Sequence, residues 1–321
     1  MHLIVPFAGT VSDAGRQALQ TLVLPQLDKL LARLAPGAVL GSDEFSLNTP
    51  HELALAQAWG WPATADGATG ALPFAAKAAD SLQLPEAHGA AWGQLVPVHL
   101  DVGNEGISLT DPRALQLDEA ASRELLAIVR ALFESEGFAL HWAAPLQWLA
   151  THPSFDTLPS ASIDRVIGRN VARWLPDQRA ARLVRRLQNE VQMVLYTHAV
   201  NDRREAAGLP TVNSFWLSGC GRLPPTQPAA VATAAPLGAH PTLDDRLRGP
   251  ALTEDWAAWC DAWRALDAGP IADLQRGGGA VQLTLCGERL AQTWAPQPRS
   301  WWQQLTTGWR KPATHAVLEA L

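Results

Sequence analysis

Cysteine, methionine and tyrosine are almost missing from this 321-residue chain, which has three Cys, two Met and one Tyr. Cys220, Cys260 and Cys286 are odd in number and widely spaced, with no CxxC pair. That argues against a disulfide framework or a structural zinc site and for a reducing compartment. No run approaches the roughly 18 apolar residues of a membrane span. The opening MHLIVPFAG has neither a basic leader nor a long apolar stretch, so it does not read as a signal peptide. A cytoplasmic location with no membrane partner is the expectation. Charge is sparse too, at 17% of residues with a formal net of −6. Such a balance gives no global pull toward nucleic acid or an anionic surface.

Familiar catalytic patterns are also missing. The nine histidines form no HxxxH or HExxH pair, and there is no GxGxxG and no GxxxxGK[ST]. Ser218-Gly219-Cys220-Gly221 lacks the first glycine of a nucleophile elbow, although Cys220 in a glycine loop could be a reactive thiol. Asp43/Glu44, His99/Asp101, Asp164 and Asp244/Asp245 are isolated and have no ligand spacing, so solvated loops account for them. No metal and no cofactor are expected.

What the chain does have is 47% hydrophobic residues and fourteen tryptophans. That is enough for one large domain or two modest ones, packed around indoles and with one aromatic-lined groove. Leu3–Phe7 reads as a buried strand. Helical spacing runs from Asp13 to Leu34, with Pro25 splitting or kinking it. A strand followed by a helix at the start predicts an α/β fold class. Thr49, Pro50 and Glu52 make a capping box with proline at N1, so helix initiation accounts for the Thr, Pro and Glu without catalysis. The helix ends at Gly60, and irregular chain is expected to about residue 90. Gln94–Val102 reads as a strand in which Pro97 hints at an edge or bulge, with Ile107–Asp111 as hairpin partner. Asp118 caps a helix to about Glu136, and Phe138–Trp142 is the next strand.

Seven arginines lie between residues 165 and 186, three of them (Arg165, Arg169, Arg173) at four-residue spacing on one expected helix. They form either a solvated face or a surface for an anion or an acidic protein. Nucleic acid is the less expected partner in an acidic chain. Asp177 opens a long helix, Val212–Leu217 reads as a strand, and Gly219 and Gly221 form the loop after it. Residues 223–241 read as a Pro/Ala-rich linker. Trp256, Trp259 and Trp263 form an aromatic stripe on a helix begun by Thr253, Val281–Cys286 is a strand, and the tail from Ser300 is amphipathic helix.

The stretch His198–Arg222, HAVNDRREAAGLPTVNSFWLSGCGR, resembles a segment of the archaeal-type cofactor-independent phosphoglycerate mutases. In SLTDPRALQL, Thr110-Asp111 and Arg113 match a second segment of the same enzymes. Together these matches span about a third of the chain. The RpfE-type regulatory protein family is more similar still, over most of the chain. Its pieces correspond to Leu3–Ala8, Pro50–Ala56, Asn189–Met193 and Val212–Pro224.

The resemblance implies a layered helix/sheet/helix core of the alkaline-phosphatase superfamily with an added α/β lobe. It is expected as one α/β unit (1–321) with sub-lobes 1–92 plus 198–321 and 93–197. Such enzymes carry a metal-binding aspartate just after the first strand, whereas this chain reads Pro6-Phe7-Ala8-Gly9 there and contains no Asp-His dipeptide. The implied function is a non-catalytic regulatory or ligand-sensing protein, and the alternative is an active phosphotransfer or phosphoester enzyme using Asp43, Glu44, His51, His99 or Asp101. His198, Asn201, Arg204, Asn213, Arg222 and Arg113 are the expected binding residues for a phosphorylated or carboxylate small molecule. They could instead cap the helix and brace the turn.

Overall fold

The computed structural model describes the chain except residues 42, 62–71, 104–105, 176–178, 225–240, 278–280 and 297–313. In chain order it begins β1 (His2–Val5), α1 (Asp13–Gln20), α2 (Pro25–Arg33), β2 (Ala35–Gly41) and α3 (Pro50–Ala58). Next come α4 (Phe74–Ser81), β3 (Trp92–Val98), β4 (Leu100–Gly103), β5 (Gly106–Leu109), α5 (Glu119–Glu134), β6 (Ala139–Ala144) and β7 (Gln147–Thr151). Then follow α6 (Ile163–Val166), α7 (Arg179–Tyr196), α8 (Ala199–Ala206) and β8 (Ser214–Gly221). The last are β9 (Thr242–Leu243), α9 (Arg248–Leu252), α10 (Trp256–Leu266), α11 (Ala272–Arg276), β10 (Gln282–Cys286), β11 (Leu290–Ala295) and α12 (Thr314–Glu319). The class is mixed α/β. Among the described residues no helix is long and apolar enough to cross a membrane.

Two compact units emerge, Met1–Ala68 with Thr226–Leu321, and Thr69–Pro225. The divisions fall away from the expected 92/93 and 197/198 because β3 and β8 pair with each other along most of their length. Strands that share a ladder share a core. The expected linker at 223–241 lies almost wholly outside the described residues.

In the first unit the sheet order is β2-β11-β10-β1-β9, with β1 parallel to both its neighbours. Alternation along β1 sends Leu3 and Val5 into a core with Leu19, Leu27, Leu30, Trp259 and Trp263, while Ile4 packs against Ala54 of α3. Ser12 accepts from Gly15 N at 3.1 Å to start α1, and Pro25 opens α2 rather than kinking a single helix. The capping box at α3 forms in full: Glu52 Oε2 accepts from Thr49 N at 2.8 Å, and Thr49 Oγ1 accepts from Glu52 N at 3.4 Å. Helix α10 begins after Asp255, whose carboxylate accepts from Ala258 N at 2.9 Å, not at Thr253. Aspartate two residues on offers the better-placed acceptor.

The second unit carries an antiparallel sheet, β6-β7-β3-β8, and a separate β4–β5 hairpin. One face packs on α4 through Ala75, Ala76 and Ala79 beneath Trp92 and Leu149. The other packs on α5 and α7 through Leu125, Phe133, Leu187, Phe215 and Leu217. Pro97 lies in a central strand, contrary to the edge expectation. It is tolerated because β7 pairs only with Trp92–Leu95 and leaves that flank open.

Candidate functional site

Three places in the fold bear on function: the joint between α7, α8 and β8; the carboxyl ends of β1 and β10; and an apolar cleft beside α7.

At the joint, Asn201 is 4% exposed and its side chain is fully engaged. Its Nδ2 donates to Leu195 O and Val212 O, and its Oδ1 accepts from Val212 N, all at 2.9 Å. Asn213 acts in the same way on the next strand, accepting from Leu100 N and donating to Leu100 O at 2.8 Å each. An amide side chain here replaces a missing backbone partner. His198 caps α8 by accepting from Val200 N at 3.2 Å. Arg204, 7% exposed, donates to Pro210 O at 2.8 Å and to Leu115 O, and its burial lowers its pKa. Arg113 sits exposed on the turn that carries Leu115, with its own N–H donating to Asp111 Oδ1. The two mutase-like stretches are therefore neighbours in the fold. Four of their polar side chains, His198, Asn201, Arg204 and Asn213, grip backbone.

Arg222 stands apart from this group. It lies nine residues beyond Asn213 along β8, roughly 25–30 Å away at a strand's rise per residue. There it donates to Asp156 Oδ1 at 2.8 Å and to Gly89 O. The six expected binding residues thus do not form one cluster. The expected glycine loop is also strand, since β8 continues through Gly221, which pairs with Trp92 across a bulge. Gly219 and Gly221 have φ of +64° and +137°. A Cβ on Gly219 would stand 3.0 Å from Ala75 N, and one on Gly221 would stand 3.2 Å from Pro73 Cβ. The glycines admit Pro73 and the first turn of α4 against β8. Cys220 between them is fully buried, and that burial pushes its thiol up to about 12, far from a reactive thiolate.

The expected helix carrying Arg165, Arg169 and Arg173 is broken. Helix α6 stops at Val166, Gly168 takes φ +72°, Asn170 bridges to Ser108, and a 3-10 turn spans Val171–Trp174. Arg165 is 3% exposed, so the arginines do not share a solvated face. Arg186 on α7 pairs with Glu136 and Glu190.

At the carboxyl ends of β1 and β10, Phe7 adopts φ +56°. It is held there by Trp259 Nε1 donating to its carbonyl at 3.0 Å, while Ala8 N donates to Cys286 O at 2.7 Å. Gly9 and Gly287 follow the two strands. A Cβ on Gly9 would lie 2.3 Å from Leu318 O, and one on Gly287 would lie 2.6 Å from the Leu321 carbonyl carbon. Leu290 N donates to Leu321 O at 2.8 Å, and His315 Nε2 bonds Leu22 O at 2.8 Å. Residues 314–321 thus occupy the crevice at the ends of these parallel strands, the usual ligand position in open α/β sheets. Asp43 caps its own turn through Phe45 N, His51 Nε2 meets Thr49 Oγ1 at 3.1 Å, and His99 Nδ1 bonds Thr211 O at 2.9 Å. Among the described residues no three His, Cys, Asp or Glu side chains are grouped to hold a metal.

The cleft in the second unit is a small one, with a cavity volume of about 30 Å³, between Leu158–Ala161, the Val171–Trp174 turn, α7 and β8. Its lining includes Trp174, Val184, Trp216 and Leu217, together with Arg185 and Gln188. The fourteen tryptophans hinted at such a groove, but nothing in the spacing located it.

No family model and no curated protein matches the chain. Among solved structures it is similar to a cofactor-independent phosphoglycerate mutase from Thermoplasma acidophilum DSM 1728. The identity is 13%, over 93% of this chain and 89% of that one, with a TM-score of 0.36. It is also similar to the PH0037 protein from Pyrococcus horikoshii, at 14% identity over 92% of this chain and 87% of that one, with a TM-score of 0.42. Neither TM-score reaches 0.5, so the likeness transfers no site and no activity.

Proposed function

We propose that this chain is a non-catalytic regulatory or ligand-sensing protein, built on a layered fold descended from the phosphoglycerate-mutase and phosphatase type and related to the RpfE-type proteins. One observation carries the reading: the crevice at the carboxyl ends of β1 and β10 is filled by the chain's own residues 314–321. The sequence around it agrees, since Pro6-Phe7-Ala8-Gly9 offers no carboxylate where the resembled enzymes hold a metal. Two-metal phosphoryl transfer needs two ions held about 4 Å apart. The residues that match the mutase pattern support the same conclusion. Asn201, Asn213 and Arg204 stabilise the α7–α8–β8 joint, a role that keeps their side chains useful after catalysis is gone.

Calorimetric titration of the full chain with Mn²⁺ and with Zn²⁺ tests this. The reading predicts no tight uptake of two equivalents. Glu288 is the carboxylate beside this stretch, its Oε1 accepting from Val11 N at 3.1 Å, and tight two-ion binding that is lost in Glu288→Gln would restore the phosphotransfer alternative.

A further inference from the structure

Helix α7 has two faces with different fates. Val184, Leu187, Val191 and Leu195 are buried in the core of the second unit. On the opposite side Arg182, Arg186, Asn189, Met193 and Tyr196 follow one another at alternating intervals of four and three residues, and all five are exposed. That is the spacing of a coiled-coil seam. Met193 and Tyr196 are 75% and 82% exposed, although the chain has only two methionines and one tyrosine. Methionine, tyrosine and arginine are enriched where proteins meet, and clustered exposed apolar side chains mark such places. The stripe is also polarised. Its arginines lie toward the N-terminal end of α7 and its apolar side chains toward the C-terminal end, with Asn189 seven residues from both Arg182 and Tyr196. The helix has no acidic residue in its first turn and no basic one in its last, so its own side chains leave the macrodipole uncompensated. Arg186 pairs within the chain with Glu136 and Glu190, whereas Arg182 is tied to no neighbour among the described residues.

We propose that this face pairs with the same face of a second copy of the chain, the two α7 helices running antiparallel about a two-fold axis at Asn189. At a helix's rise per residue, Arg182 and Tyr196 lie roughly 10 Å to either side of that axis, so each Arg182 meets Tyr196 of the other copy. The guanidinium then lies on a phenol ring and beside the carbonyl end of the second helix, and both favour a cation. Met193 covers the methylene stems of the facing arginines. Asn189 meets its own copy, and an amide at the centre of a seam fixes the register. A parallel pairing would set arginine against arginine, so the polarity of the stripe selects the antiparallel one. The contact is closed and isologous, which gives a dimer and no larger assembly. One helix face on each side falls short of the roughly 800 Å² per partner of a standard interface, so the dimer is weak and reversible. This inference goes beyond the ligand-sensing reading and does not depend on it.

The test is sedimentation velocity of the full chain from low to high micromolar concentration. A reversible rise from the mass of one chain to that of two is expected. Arg182→Glu and Tyr196→Lys each change an exposed side chain and set repelling groups across the axis. Either should weaken association about tenfold or more, because the lost contact occurs twice in the dimer. Arg182→Glu combined with Tyr196→Lys in one chain sets opposite charges across the antiparallel contact and should recover most of that loss. In a parallel pairing the same combination would set like charges together. Far-ultraviolet circular dichroism of the three variants should match the unmodified chain. A one-chain mass of the unmodified protein at every concentration would overturn the proposal and leave the face to a different partner. A dimer that neither single change weakens, or a combined variant no better than the single ones, would overturn it as well.

Discussion

Asn201 and Asn213 use side-chain amides as surrogate peptide groups, and most of the residue-scale energetics follows from that. Asn201→Ala would leave Leu195 O, Val212 N and Val212 O buried without their partner. We expect a loss of about 2–4 kcal/mol in urea unfolding. An unchanged urea midpoint would contradict the bracing role. The thiols give a second expectation. Cys220, Cys260 and Cys286 are all buried, and burial raises the pKa of each. None should react with an alkylating reagent until the chain unfolds, and rapid labelling of native Cys220 would contradict the packing described. The third concerns His2, 7% exposed, whose Nε2 meets Thr284 Oγ1 at 2.8 Å within a polar row that continues to Thr293. Burial chiefly lowers its pKa from 6.5 to about 4. The unfolded chain therefore binds this proton first. The stability linked to His2 is complete above about pH 6.5 and is lost as pH falls toward about 4, at up to ~1.4 kcal/mol per pH unit. His2→Gln should flatten that part of the pH–stability curve, and an unchanged slope would remove His2 as the cause.

Glycine and alanine govern close approach at the scale of elements. Helix α4 buries Ala75, Ala76 and Ala79 against β8, and Gly219 gives its backbone room. Gly219→Ala adds a Cβ at a left-handed φ with Ala75 N only 3.0 Å away, so it should cost about 1–3 kcal/mol by thermal or urea unfolding. These features explain what was and was not legible in the sequence. Helices with a capping side chain, such as α1, α3 and α5, and α2 with its leucine spacing and proline at N1, could be read from pattern, because apolar spacing and the residues that start a helix are local signals. Helix α4 could not be read, since an alanine face has no hydrophobic contrast. Strand β2 (APGAVLG) escaped as well, being largely exposed and rich in turn formers. Gly219 and Gly221 are compatible with either a loop or a bulged strand, and only the pairing of Trp92 with Gly221 decides between them. The arginine spacing from 165 to 173 misled for a related reason. Four-residue spacing is weak evidence when Gly168 can end the helix between Arg165 and Arg169.

The whole molecule is two units whose boundaries follow strand pairing rather than the order of motifs. The sequence carried the α/β class, the capping roles and the missing carboxylate after β1. It did not carry the occupation of the crevice by residues 314–321 or the cleft beside α7, because both depend on contacts between distant parts of each unit's chain. The central claim is that the crevice is closed by its own chain and performs no phosphoryl chemistry. The most direct measurement is turnover of 3-phosphoglycerate and p-nitrophenyl phosphate by the full chain with Mn²⁺ or Zn²⁺ present. The account predicts rates no different from protein-free buffer for both substrates. Saturable turnover that disappears with Glu288→Gln would contradict it.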